Sequence, residues 1–434
     1  GAILKGEWDG SIPSYPLILR DNGYHIGYSY KVWAPGTPEN APYGGDETKY
    51  DAEGYRFNKF SQNVTKLIKK GVSVDDAKKE IFKESMDNFR DFIADRPVGK
   101  PFCFWFGPRN THRSWERGSG KALWGLDPDC LKGKMPPFLP DVPEIREDLC
   151  DYLGEVLALD AMFGMFLDEL DRMGERENTL VVVSGDHGIP GFPRGKCNVY
   201  PFGTSVALFA QYPAVVKGGR IVDDFINLMD LAPTFLEAAG VEPPSVMTGR
   251  SLMPLLMSDK SGVIDTSRNY VVTGRERHLP TAREGNLPYP MRAIQTKDFL
   301  YVINFKPDRD PMGAFNYPDS LADPSYNDWL TNTYSAFGDI DNSPTKAWMI
   351  EHRFDKKWSL QWNLGFEKRP AEELYDLCSD PYYMVNVASA PAYSEIKAQL
   401  RAKLLTVLKD TCDPRVCSDP SPFDIAPYTL TGKQ

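Results

Sequence analysis

The apolar positions of the chain change period along its length, and those changes mark its elements. Pro101-Phe102-Cys103-Phe104-Trp105-Phe106 is a continuous, largely aromatic run closed by Gly107, the pattern of a strand covered on both faces. From Leu153 the apolar residues fall at helical spacing, through Val156, Leu157, Phe163, Phe166, Leu167 and Leu170. Leu180-Val181-Val182-Val183 then reads as a second buried strand, followed at once by Gly185. Strand, long helix and β-branched strand in that order predict an α/β fold with a mainly parallel sheet flanked by helices. A further helix is predicted over 225–239, stopped by Gly240 and followed by Pro243 and Pro244.

Near Leu256 the texture changes. Loops rich in Asp, Ser, Asn and Pro take over, with a strand predicted over 299–304 and an amphipathic helix over 394–408. The pattern predicts a large α/β domain over residues 1–260 and a smaller C-terminal α+β domain over 261–434.

Composition narrows the function. Sixty acidic residues against 50 basic ones give a formal net charge of −10, which argues against a nucleic-acid binder relying on a basic surface. An anionic substrate stays compatible, because a few basic residues converging in one pocket suffice. No apolar run approaches the roughly 18 residues of a membrane span, so no membrane association is expected. The seven cysteines form no CxxC or Cys/His cluster; Cys412 and Cys417 either pair with each other or stand as free thiols. Asn63-Val64-Thr65 fits a glycosylation acceptor.

The candidate chemistry sits at predicted strand ends, where parallel α/β sheets bind ligands. Ser184-Gly185-Asp186-His187-Gly188 follows the Val-rich strand, with Asp186 as a hard oxygen ligand and His187 as a nitrogen ligand or proton donor. The flanking glycines allow close backbone approach. Lys196 follows in Phe192-Pro193-Arg194-Gly195-Lys196, where an ammonium neutralises an oxyanion during transfer. The aromatic strand leads to Thr111-His112-Arg113, in which His112 is placed to protonate a leaving group or to hydrogen-bond an anion. Each residue alone also fits a plain structural or surface role; their shared position at strand ends is what groups them.

These motifs resemble the type I sulfatases, of the alkaline-phosphatase-like fold. Asp186-His187-Gly188 with a following basic residue is similar to the family's second metal-binding motif. Asn227 to Gly240, then Thr248-Gly249-Arg250-Ser251-Leu252, is similar to its helix and succeeding turn, and Glu373 to Pro381 to its C-terminal signature. The turn from Phe192 to Tyr200, Tyr289-Pro290-Met291-Arg292 and Asp413-Pro414-Arg415-Val416-Cys417 resemble the sulfamidase branch. Gly23 to Trp33 looks like the family's Gly-Lys-x-His element; Lys31 matches the lysine, but Trp33 stands where a histidine is usual.

The resemblance implies a sulfatase acting on a sulfated glycosaminoglycan or amino sugar, most nearly the N-sulfate of glucosamine in heparan sulfate or heparin. It implies one Ca²⁺ ion, held by Asp186 and His187 (His187 alternatively touching the sulfate), and a formylglycine nucleophile. Lys196 and Lys31 would bind sulfate oxygens, with His112 a sulfate contact or general acid. Arg113 and His278 would reach the substrate, though the loop from Gly274 to His278 equally reads as plain surface. A secreted, periplasmic or lysosomal location and a homodimer are further implications. The family's Asp pair and Cys-x-Pro-Ser-Arg-like motif are absent from the 434 residues, so the nucleophile is expected on an upstream segment and this chain alone is expected to be silent. Two alternatives share these motifs: a phosphodiesterase or phosphonate hydrolase of the same superfamily, and a non-catalytic protein that binds sulfated glycans.

Overall fold

The computed structural model describes residues 11–32, 43–279, 281–315 and 324–425; Trp33 lies outside them. Strand β1 (His25–Tyr30) pairs in parallel with the aromatic strand β2 (Phe102–Gly107), His25 opposite Phe102 and Tyr30 opposite Gly107. The Val-rich strand β3 (Val181–Ser184) pairs antiparallel with β4 (Leu208–Gln211). Among the described residues the first unit therefore holds one parallel and one antiparallel pair, where the sequence pattern predicts a mainly parallel sheet. The connection explains the difference. Between β3 and β4 the chain forms only the short helix Pro201–Thr204, and a strand reached without a longer crossover runs back antiparallel.

One helix underlies both pairs. Pro143–Met173 spans 31 residues, with Pro143 at its first turn and Gly174 closing it in the left-handed conformation (φ 70°). Its Phe163, Phe166, Leu167 and Leu170 pack with Phe102, Phe104 and Phe106 of β2 and Val181 of β3. Phe82, Phe89 and Phe92 of the helix Val74–Asp95 complete this cluster. Each such side chain, fully buried, contributes about 1.5–3 kcal/mol. The helix predicted over 225–239 is shorter, Leu231–Ala238 after a 3₁₀ turn at Leu228–Asp230, because Asn227 and Asp230 cap each other and set the start there.

The C-terminal half is built on an antiparallel sheet in the order β5 (Val271–Arg275), β6 (Met291–Gln295), β7 (Phe299–Asn304) and β8 (Glu372–Asp376). Alternation along β7 divides its faces. Tyr301 lies with Ile294 and Leu374 under Leu400, Leu404 and Leu408 of the helix Ser394–Asp410. Leu300 and Val302 join a second core that contains Trp115, Phe138, Ile145, Ile189 and Phe192. That core crosses the change of texture near residue 260, so the two halves share an interior. All seven cysteines are free thiols, and Asn63 lies in the helix Phe60–Ile68 with its amide donating to the Arg56 carbonyl (2.9 Å). Among the described residues no helix is long and apolar enough to cross a membrane.

A buried ion pair ties the shared interior together. Asp148 of the long helix is 2% exposed and accepts both arms of the Arg113 guanidinium, at 2.5 and 2.9 Å. The same carboxylate accepts the backbone N–H (3.2 Å) and hydroxyl (2.6 Å) of Thr345. Removing one partner of such a pair leaves a charge buried without compensation and costs about 3–5 kcal/mol. Asp148→Ala is expected to lower the unfolding free energy of the chain by that amount in urea melts. A loss below about 1 kcal/mol, the range of an exposed pair, would show that the halves are held by other contacts.

Candidate active site

Three strand ends converge on the site. Lys31 follows β1 and is fixed by its backbone N–H donating to the Gly107 carbonyl (2.9 Å). The loop after β2 is anchored by Asn110, 1% exposed, whose amide donates to the Glu155 carbonyl (2.7 Å) and carboxylate (3.1 Å). Glu155 also accepts from the Ser61 N–H (3.2 Å), and its burial pushes its carboxyl up to about 7. The loop after β3 is close-packed at Gly188, whose N–H donates to the Gly203 carbonyl (2.9 Å). A Cβ there would lie 2.0 Å from the Phe202 carbonyl oxygen, so only glycine fits.

The basic turn 192–200 separates its two cations. Arg194 adopts a left-handed backbone (φ 63°) and turns inward, 1% exposed, over the rings of Tyr200 (4.0 Å) and Tyr383 (4.7 Å). Lys196 turns toward the strand ends, its N–H donating to the Ile189 carbonyl (3.0 Å).

The polar groups form two neighbouring sets. In the first, the Lys31 ammonium lies 3.9 Å from the Asp186 carboxylate, and His187 Nε2 lies 3.5 Å from the same oxygen. This set is open to solvent, with the Asp186 side chain 70% exposed. The second is more buried at its lysine and carboxylate, while its His112 side chain stays 39% exposed. Lys196 Nζ lies 2.9 Å from His112 Nε2 and 3.1 Å from Asp341 Oδ2, and the Lys196 and Asp341 side chains are 10% and 13% exposed.

Proton positions in the second set follow from its partners. His112 Nδ1 faces the Arg113 carbonyl at 3.0 Å, and a carbonyl only accepts, so Nδ1 carries the proton. Nε2 is then the acceptor for the Lys196 ammonium. Burial and then Lys196 hold the His112 imidazole below its ordinary value against the pull of Asp341, with His187 close enough to add to the effect. Burial and Lys196 push His278 down to about 4, so it stands beside this set as a neutral ring at pH 7. Burial alone would raise the Asp341 carboxyl, but Lys196, His112 and His278 together bring it below the usual range.

The structure thus brings together His112, Lys196 and His278, and separately Lys31, Asp186 and His187. Arg113, expected at the substrate, faces inward instead: its side chain is 5% exposed, held by Asp148, donating to the Pro190 carbonyl (3.1 Å) and stacked on Trp115 (3.8 Å). The physical reason is that the buried Asp148 carboxylate takes both arms of its guanidinium, the stronger geometry for this pair. Sequence reasoning misses Asp341 and Glu155. Asp341 sits in an Asp- and Asn-rich stretch that reads only as loop, and Glu155 lies within the periodic pattern of a helix.

Calcium takes about six to eight oxygen ligands. Asp186 offers a single carboxylate, already faced by an ammonium, and among the described residues no three His, Cys, Asp or Glu side chains are grouped to hold a metal. These residues by themselves do not make a calcium site.

Comparison with known proteins gives a consistent family. The Sulfatase family model matches residues 10–241. The chain is 27% identical over 430 residues to the N-sulphoglucosamine sulphohydrolase of Homo sapiens, covering 94% of this chain and 76% of that protein. It is 38% identical over 397 residues to an N-acetylglucosamine-6-O-sulfatase of Bacteroides thetaiotaomicron, covering 73% and 68%. Two solved structures share the fold. One, in complex with its substrate D-glucosamine-2-N,6-O-disulfate, has a TM-score of 0.55 at 19% identity, with 96% of this chain and 85% of that chain covered. The other, a phosphonate monoester hydrolase from Silicibacter pomeroyi, has a TM-score of 0.52 at 16% identity, with 94% and 82% covered.

Two outcomes are expected. Isothermal titration of this chain with Ca²⁺ is expected to give only weak binding; a submicromolar constant would show that the site is complete. The raised Glu155 carboxyl also makes stability depend on pH. Its protonated form is favoured by the fold, so its contribution is fully present below about 4.5 and is lost as pH rises to about 7. The slope in that window approaches about 1.4 kcal/mol per pH unit. Glu155→Gln is expected to flatten this slope in denaturant melts at stepped pH, and an unchanged slope would contradict it.

Proposed function

The chain belongs to the sulfatase family, hydrolases of sulfate esters or sulfamides, and on that premise we propose that its pocket takes the N-sulfate of glucosamine in heparan sulfate or heparin. The observation that carries this reading is the Lys196–His112 contact. It sets a largely buried cation beside a neutral imidazole in a partly open recess, next to the Lys31–Asp186–His187 set with its exposed carboxylate. An ammonium in such a recess binds an anion more strongly than one in bulk water. The name of the human relative supports a sulfamide as the target, and the branch motifs from Phe192 to Tyr200 and at Tyr289-Pro290-Met291-Arg292 point the same way.

In this reading Lys196 and Lys31 hold sulfate oxygens from two sides. His112 accepts from Lys196 and keeps that ammonium directed, while His278 adds a neutral, hydrogen-bonding wall. Cleavage of the nitrogen–sulfur bond consumes one water and yields sulfate and the free amine, which needs a proton. In the Lys196–His112 set the available proton is on Lys196, since the Nδ1 proton of His112 is held by the Arg113 carbonyl. A glycan-degrading role fits a secreted, periplasmic or lysosomal setting.

Equilibrium binding of N-sulfoglucosamine to the chain tests the reading. Lys196→Ala is expected to weaken it about tenfold or more, the value of a hydrogen bond to a charged group. Tighter binding of a phenylphosphonate monoester than of N-sulfoglucosamine would instead support the phosphonate hydrolase reading. Binding unaffected by Lys196→Ala would remove the pocket from consideration.

A further inference from the structure

We propose that Asp341, supplied by the C-terminal half, is a positioning residue that fixes the Lys196 ammonium in its sulfate-binding direction against His112. The inference rests on the reading that this pocket takes a sulfate. It starts from an apparent conflict of charge. A carboxylate beside an anion site opposes anion binding by simple repulsion, and burial strengthens that repulsion. Asp341 nevertheless stands 3.1 Å from the Lys196 ammonium and 3.9 Å from His112 Nε2.

The surroundings of Asp341 explain how it is held there. Two residues earlier, Asp339 has a fully buried side chain, paired with Arg275 and Arg283 and accepting from the Leu279 N–H (3.0 Å). Arg275 reaches on to the Cys197 carbonyl (2.7 Å), next to Lys196. Two residues after Asp341, the Ser343 hydroxyl donates to the Gly191 carbonyl (2.7 Å). Gly191 has φ 79°, and a Cβ there would meet the Arg113 guanidinium at 2.6 Å. Thr345 then binds Asp148. The backbone on both sides of the Lys196–Asp341 contact is thus clamped by the same buried network, so neither partner can drift without breaking it. A carboxylate present only to balance charge would need no such support.

In water a lysine side chain samples many rotamers, and confining it costs about 1.5–2 kcal/mol. Asp341 accepts one N–H of the ammonium, His112 Nε2 accepts another, and the third is left for the ligand. With Asp341 the lysine reaches the sulfate already ordered. Without it, Lys196 is free to leave His112 and must be ordered by the ligand itself.

Positioning and charge balance predict opposite signs. Inorganic sulfate is the probe, titrated calorimetrically into the full chain at low ionic strength. If Asp341 positions Lys196, Asp341→Asn weakens sulfate binding about tenfold and Asp341→Glu restores most of it. If Asp341 merely offsets charge, Asp341→Asn tightens sulfate binding, and that result overturns the proposal, as does unchanged binding. A wild-type chain that binds no sulfate overturns the sulfate reading of the pocket and this inference with it; loss confined to the variant speaks for positioning alone. Nuclear magnetic resonance of the five histidines gives a second readout on the same variant. Around His112 the charged groups are Lys196, Asp341 and His187. Freed of Asp341, Lys196 swings away and the His112 titration midpoint moves up toward that of an ordinary histidine. If Lys196 stays in place, the midpoint falls further, and the positioning role is excluded.

Discussion

The site depends on one buried carboxylate. Asp148 holds the Arg113 guanidinium, and through it the loop that carries His112, while its Oδ2 also takes the N–H and hydroxyl of Thr345 from the far half of the chain. A single carboxylate can do this because four donors reach it inside the core, where an unpaired charge would be prohibitive. Three segments meet at this junction: the inward Arg113, the turn at Pro190 and Gly191, and the stretch from Ser343 to Thr345.

Regular elements under simple periodic patterns were readable from the residues alone. The strand at 299–304 and the helix beginning at Ser394 occur where period and turn residues place them, because each buries one face against a single neighbour. Pairing was less legible. Nothing in Leu208-Phe209-Ala210-Gln211 announces an antiparallel partner for β3, since direction is set by the connection and not by the strand's own composition. The same limit applies to the site. Asp186, His187, Lys196 and His112 are visible because they follow strands at short, fixed spacing. Asp341 is not, because its contact with Lys196 spans 145 residues of sequence and no local pattern encodes it. Arg113 shows the converse: a basic residue beside a candidate histidine reads as a ligand contact until its buried partner is seen.

The two polar sets differ in what their environment does to charge. The Lys31–Asp186–His187 set faces solvent, where screening keeps each interaction weak and the groups remain free to take further ligands. In the Lys196–His112–Asp341 set the lysine and the carboxylate are largely buried, so the Lys196–Asp341 contact is less screened and the proton positions follow from the partners.

The clamp between residues 339–345 and the 190–198 turn has a consequence for biosynthesis. Ribosomes release the chain from its amino end, so the strand-end loops with Lys31, His112 and Lys196 emerge long before Asp341 and Thr345. Until then Arg113 and Asp148 have a partially open cavity beside them, and the lysine of the turn has no carboxylate to meet. Contacts spanning 145 and 197 residues are slow to close and leave apolar surface exposed meanwhile. The pocket is therefore among the last parts of the described chain to mature.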